Sequence, residues 1–167
     1  MTAPTVVKRA ADLALRLASW LAFLPPLLTR LFLGHAFYFT GRGKLENPEG
    51  VVRFFTSLGI PAPALNAAFV SRLEYYGAML LIVGLASRPV AAMLAGSMLV
   101  ALLTADKDDF IEKLLVRGDS QQDITSVTPL VLLLGLLWVA IYGPGLLSLD
   151  TLVKKWLGLG KSEDGKA

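Results

Sequence analysis

Residues 124–149 run for 26 positions without a charged side chain, and residues 89–105 do so for another 17. A helix of about 20 apolar residues crosses the roughly 30 Å hydrocarbon core of a bilayer, so runs this long leave few soluble folds open. Two further stretches, residues 25–44 and 64–87, are mainly apolar but hold Arg30, His35, Arg42, Arg72 and Glu74. In all four the apolar residues cover most of the helical circumference instead of one stripe, as suits a helix bathed in lipid. Charged residues make up 17% of the chain, well under the roughly 25% of an average soluble domain. The expected fold class is all-α: an integral membrane four-helix bundle preceded by an N-terminal interfacial amphipathic helix.

Composition also removes whole chemistries. With no Cys and one His, disulfides, thiolate nucleophiles, zinc fingers and thiolate-bound iron–sulfur clusters are excluded, and no metal site is expected. No glycine-rich phosphate loop follows a strand, so the chain shows no redox cofactor site of its own; no cofactor is expected to be bound covalently, and any redox role must borrow its chemistry. The excess of 16 basic over 13 acidic residues is dispersed along the chain, which argues against nucleic acid as a partner. The partner the pattern implies is the lipid bilayer.

The chain divides into three parts. Residues 1–24 read as the interfacial helix, with Lys8, Arg9, Asp12, Arg16 and Ser19 on one side and Leu13, Leu17, Trp20, Leu21 and Leu24 on the other. A cleavable signal peptide with its apolar region at 17–29 is the rival reading, but no small-residue cleavage site follows. Residues 25–150 hold the four crossings, opened by Pro25-Pro26, since proline is tolerated in a first helical turn. Within them, 47–58 reads as a short surface helix, Arg88-Pro89 as the turn between the second and third crossings, and 105–123 as a polar loop. The loop's Asp106, Asp108 and Asp109 lack the spacing of a calcium loop. Residues 151–167 read as a C-terminal interfacial helix and polar tail. Lys and Arg number eight on the side of the two termini against six on the other, which predicts both termini in the cytoplasm.

Two small-residue stripes stand out. Arg30, Gly34, Phe37, Gly41 and Lys44 share one face of the first crossing, and Glu74, Gly77, Leu81, Gly84 and Arg88 share one face of the second. Glycines at these positions let antiparallel helices approach closely, so Gly34, Gly41, Gly77 and Gly84 are assigned to helix packing. Glu74 lies about ten residues inside its apolar segment, where a lone carboxylate costs a few kcal/mol and therefore needs a partner. One account pairs it with Arg30 as a structural lock. The other places Glu74, with Arg30, His35 or Tyr38, in a polar cavity that handles a proton or binds the head of a lipophilic molecule; these four are the candidate catalytic residues. His35 is the only imidazole, and a metal would need ligands that are missing around it. Arg42, Lys44 and Arg72 are expected to snorkel towards a helix end. Ser148 or Asp150 is expected to cap a helix over 151–157.

The runs RLFLGHAFYFTGRGKL from Arg30, EYYGAMLLIVGLASRPVA from Glu74 and GPGLLSLD from Gly143, in this order and spacing, resemble the successive signatures of the DoxX family. The resemblance spans about residues 27–155. It implies small bacterial proteins of four membrane helices, located here in the cytoplasmic membrane. Some DoxX-like and DoxD-like proteins are associated with thiosulfate:quinone oxidoreduction, and one with a membrane complex containing superoxide dismutase and a sulfurtransferase. The family pattern marks Arg30, Gly34, Phe37, Gly41, Lys44, Glu74, Gly77, Gly84, Gly143, Ser148 and Asp150. The long N-terminal helix and the charged loop at 106–123 depart from it, so partners recognised there can differ. The implied function is a membrane subunit or accessory protein of an oxidoreductase complex with redox protein partners, acting at the quinone pool. The alternative is a non-enzymatic membrane scaffold or a carrier of small lipophilic molecules.

Overall fold

The structure, a computed structural model, describes residues 3–115 and 127–158. The expected C-terminal polar tail and the second half of the expected loop at 105–123 lie outside the described residues. All the regular structure among the described residues is helical: α1 (Ala3–Leu21), α2 (Leu24–Glu46), α3 (Pro48–Ser57), α4 (Pro63–Val83), α5 (Ser87–Thr104), α6 (Lys107–Leu115), α7 (Thr128–Tyr142) and α8 (Leu149–Trp156).

Local chemistry accounts for the boundaries. Pro25 and Pro26 occupy the first turn of α2, and α4 and α7 also carry proline there, where its missing N–H is not needed. Asn47 caps α3, its side-chain oxygen accepting from the Gly50 N–H at 3.1 Å. Gly84 ends α4 in the left-handed conformation, at φ 74°, which glycine adopts without a Cβ penalty. The turn between α4 and α5 is therefore Gly84–Leu85–Ala86 rather than Arg88-Pro89. Pro89 instead sits in the first turn of α5, a position that leaves no backbone acceptor unserved. The expected polar loop after α5 is helical in its first half. Asp108 and Asp109 in the first turn of α6 and Lys113 in its last complement the helix dipole, and Lys113 pairs with Asp109 at 2.7 Å. Among the described residues of the uncharged run at 124–149, α7 has 15 residues of helix, about 22 Å, and it ends where Gly143 turns away at φ 90°.

α2 lies along α4 and α5 along α7, and α4–α5 and α2–α7 contacts join the two pairs; α3 rests on α4 and α6 on α5. Leu33, Phe37, Ala78, Leu81, Ala91, Leu94, Leu136 and Val139 form the core. The outer faces remain strongly apolar, with Phe32, Phe69, Ile82, Leu103, Leu134 and Ile141 exposed, and α1 exposes Leu13, Leu17 and Trp20. Two helical stretches are long and apolar enough to cross a membrane by length and composition: Ala11–Glu46, which runs through the short turn between α1 and α2, and Ser87–Thr104. α7 is apolar but shorter.

Candidate functional site

At Gly41 the backbones of α2 and α4 come into direct contact. A methyl group there would stand 2.8 Å from Tyr75 Cα and 2.9 Å from the Glu74 carbonyl carbon, so α2 and α4 touch where only a hydrogen fits. Two turns earlier, at Gly34, a methyl would stand 3.1 Å from the Ala78 carbonyl oxygen and against the Ile82 side chain. Gly77 differs from its expected role against α2: the space above it belongs to Val90 and Leu94 of α5. The register set by Gly34 and Gly41 brings the end of α2 onto the middle of α4.

That register decides the partner of Glu74. Its side chain is fully buried, at 0% exposure, and Lys44 Nζ lies 2.5 Å from its Oε1. Lys44, whose side chain is 30% exposed, thus turns inward to a carboxylate instead of snorkelling. The pair considered between Arg30 and Glu74 is not made. Arg30 precedes Lys44 by 14 residues, about 21 Å of helix, so the two basic residues serve opposite ends of the α2–α4 contact. His35 is exposed, its ring tilted against that of Phe39 with centroids 4.8 Å apart, while Tyr38 stacks on Tyr75 at 5.2 Å. Of the four candidate catalytic residues, the structure places Glu74 alone at the buried polar centre.

Beside the Lys44–Glu74 pair opens a pocket of about 1040 Å³, walled by the end of α2, by α3, by the first half of α4 and by the C-terminal half of α5. Phe54, Phe55, Val70, Leu73 and Met98 give it an apolar lining, and Lys44, Glu74, Asn47, Asn66 and Ser97 supply its polar groups. Glu74 Oε2 is buried without a hydrogen-bond partner. A buried carboxylate oxygen left unpaired costs about 1–3 kcal/mol or more; such an atom in a pocket wall fits a proton or a ligand donor.

Arg30, 2% exposed, organises the other end. Its guanidinium donates to the Pro144 carbonyl at 3.0 Å and the Leu147 carbonyl at 2.7 Å, tying α2 to the segment that follows α7. The guanidinium lies against Gly84, where a methyl would come within 2.8 Å of Arg30 Cζ and 2.7 Å of Ser148 Cβ. Ser148 caps α8 by accepting from the Thr151 N–H at 3.2 Å. Asp150 departs from its expected role: it caps α5, accepting from the Ala86 N–H at 2.7 Å and the Ser87 N–H at 2.9 Å. Its own N–H donates to the Gly84 carbonyl at 2.9 Å, so the GPGLLSLD run locks the α4–α5 turn. Of the remaining marked positions, Phe37 is in the core and Gly143 forms the sharp exit from α7.

Sequence reasoning did not pair Lys44 with Glu74, although the two stripes carried the signal: laid antiparallel, 30–44 and 74–88 set Lys44 against Glu74.

A family model described as DoxX matches residues 26–107. A protein of Bacillus subtilis (strain 168) named "Putative oxidoreductase CatD" is 31% identical over 130 residues, covering 77% of this chain and 87% of that protein. The chain belongs to the DoxX family. No solved structure matches it. As a DoxX protein it is a membrane protein, which gives the apolar outer faces of its helices their solvent. The family match takes in α2 to α5 with both ends of the α2–α4 contact, the Lys44–Glu74 pair and Arg30, and ends before the run from Gly143 that receives the Arg30 guanidinium.

Proposed function

We propose that this DoxX protein is the membrane subunit of an oxidoreductase complex, and that the pocket beside Lys44 and Glu74 holds the head of a lipophilic molecule of the quinone class. On this reading α2, α4, α5 and α7 cross the bacterial cytoplasmic membrane as a four-helix bundle, with α1 and α8 lying along its interface and both termini in the cytoplasm. One observation carries the proposal: a fully buried carboxylate with an unpaired oxygen stands in the wall of a large apolar pocket, next to an ammonium that is itself partly open. The relative named as an oxidoreductase supports the reaction class.

A quinone bound there would accept two electrons from a partner protein and two protons, becoming a quinol. The chain's own part is to bind and to protonate. The apolar lining takes the ring and tail, and Lys44 Nζ is placed to donate to a carbonyl oxygen. Glu74 Oε2, shielded from bulk water, is the atom at which a proton would be held before transfer. The electrons must come from a partner, because the sequence has neither the thiolates nor the paired histidines of common redox centres.

Purified protein in nanodiscs should bind a short-tailed quinone analogue. Glu74→Gln should weaken that binding at least tenfold with little change in thermal stability. Failure of the wild-type protein to bind any analogue, together with unchanged quinone reduction in membranes lacking it, refutes the proposal. The mostly apolar lining also suits a carrier of lipophilic molecules. In that case the analogue binds but deleting the protein leaves its reduction by the membranes unaltered.

A further inference from the structure

At the Arg30 end a second crevice, of about 370 Å³, lies between the start of α5, the end of α7 and α8. We infer that it binds the phosphate of an anionic phospholipid headgroup, with the acyl chains lying along α8. This site is separate from the Lys44–Glu74 pocket and asks only that the chain meet a bilayer.

Two cations border the crevice, Arg88 from α5 and Lys154 from α8. Among the described residues neither has an ion-pair partner. The guanidinium of Arg88 lies over Gly143, where a methyl would stand 3.1 Å from Nε and 3.3 Å from Nη2. Among the described residues its one hydrogen bond is a long one, to the Tyr142 carbonyl at 3.5 Å. Gly143 thus leaves the arginine laid flat across the end of α7 with most of its donors unused. Asp150 is the one carboxylate at the crevice, and both its oxygens are taken by the Ala86 and Ser87 N–H groups. The charge left to meet a ligand is positive, and a guanidinium beside an ammonium suits a phosphate oxyanion.

A lipid, as opposed to a free phosphate, is favoured by what lies alongside. Leu149, Leu152, Val153 and Trp156 of α8 and Leu157 at its C-terminal end are all exposed, and their spacing of i, i+3, i+4, i+7 and i+8 makes one apolar side. Lys154 and Lys155 stand off that side in the last turn. A short helix with an apolar face and basic flank lies in the plane of an anionic membrane surface. Each basic side chain near such a surface contributes roughly fivefold in affinity.

Native mass spectrometry of the detergent-purified protein, titrated with phosphatidylglycerol, phosphatidylcholine or soluble glycerol 3-phosphate, tests this. Phosphatidylglycerol should be retained at least tenfold more tightly than either of the others. Lys154→Gln, which changes an exposed residue, should weaken retention roughly fivefold, and Arg88→Gln with Lys154→Gln roughly 25-fold. Arg53→Gln at the opposite end, an equal loss of charge, should leave it unchanged. Far-UV circular dichroism confirms that each variant is folded. Equal retention of phosphatidylcholine, equal binding of glycerol 3-phosphate, or an effect of Arg53→Gln as large as that of Lys154→Gln overturns the inference.

Discussion

Gly41 and Gly43 are two residues apart on one helix, yet a methyl group at each should act in opposite directions. At Gly41 the added carbon meets backbone atoms of α4 at 2.8 and 2.9 Å, and a backbone cannot swing aside as a side chain can. Overpacking of this kind costs about 1–3 kcal/mol, and rigid neighbours put it near the top of that range. Alanine also favours the helix over glycine by about 1 kcal/mol, so Gly41→Ala should destabilise by about 2 kcal/mol net. At Gly43 nothing lies within 4 Å, so Gly43→Ala should retain the gain of about 1 kcal/mol. The variants should therefore differ by about 3 kcal/mol, read as the midpoint of unfolding in mixed detergent and SDS by circular dichroism. Gly41→Ala should also weaken binding in the Lys44–Glu74 pocket, because any separation of α2 from α4 draws Lys44 away from Glu74. Equal midpoints for the two variants would refute the argument, since the tight α2–α4 contact would then not lie at Gly41.

Three further outcomes follow from the polar contacts. Lys44→Met leaves Glu74 buried beside an apolar side chain and should destabilise by about 2 kcal/mol, below the usual cost of breaking a fully buried pair because Lys44 is partly exposed. Adding Glu74→Leu should recover most of it, and strictly additive effects in the double-mutant cycle would show that the pair is not coupled. Arg30→Met removes two charge-assisted hydrogen bonds to the Pro144 and Leu147 carbonyls and should cost about 3 kcal/mol or more in the same unfolding measurement, with Arg30→Lys recovering part. Asp150→Ala uncaps the first N–H groups of α5 and should cost about 1–2 kcal/mol; hydrogen exchange should rise at Ala86 and Ser87, and unchanged protection there would refute the cap.

The long uncharged runs made the helices legible, because length and all-round apolarity are properties of consecutive residues. Proline marked where α2 begins, through a constraint on φ that acts locally. Helix α6 was missed because Asp106, Asp108 and Asp109 read as solvent-seeking loop residues, whereas two of them stabilise the first turn of a helix. The turn before α5 was misplaced for a similar reason. Pro89 marks a helix start as readily as a turn, and the left-handed Gly84 decides between them.

The candidate site was legible as a list of residues but not as a set of contacts. Glu74 had to have a basic partner, since the cost of a bare carboxylate in an apolar segment depends on the segment alone. Which base it takes depends on how far α2 slides along α4. That offset is fixed by the fit of Gly41 against Tyr75 and Glu74, so it selects Lys44 and sends Arg30 to the carbonyls after α7. Asp150 shows the same division: any aspartate next to a helix start can cap it, but only the packing of α8 against the α4–α5 turn brings this one to the first N–H groups of α5. The order of residues along the chain therefore settled the helical class and the need for buried charge pairing. Tertiary packing settled the pairing itself, because hydrogen bonds reach only about 3 Å and one helical turn of slippage, about 5.4 Å, changes every partner.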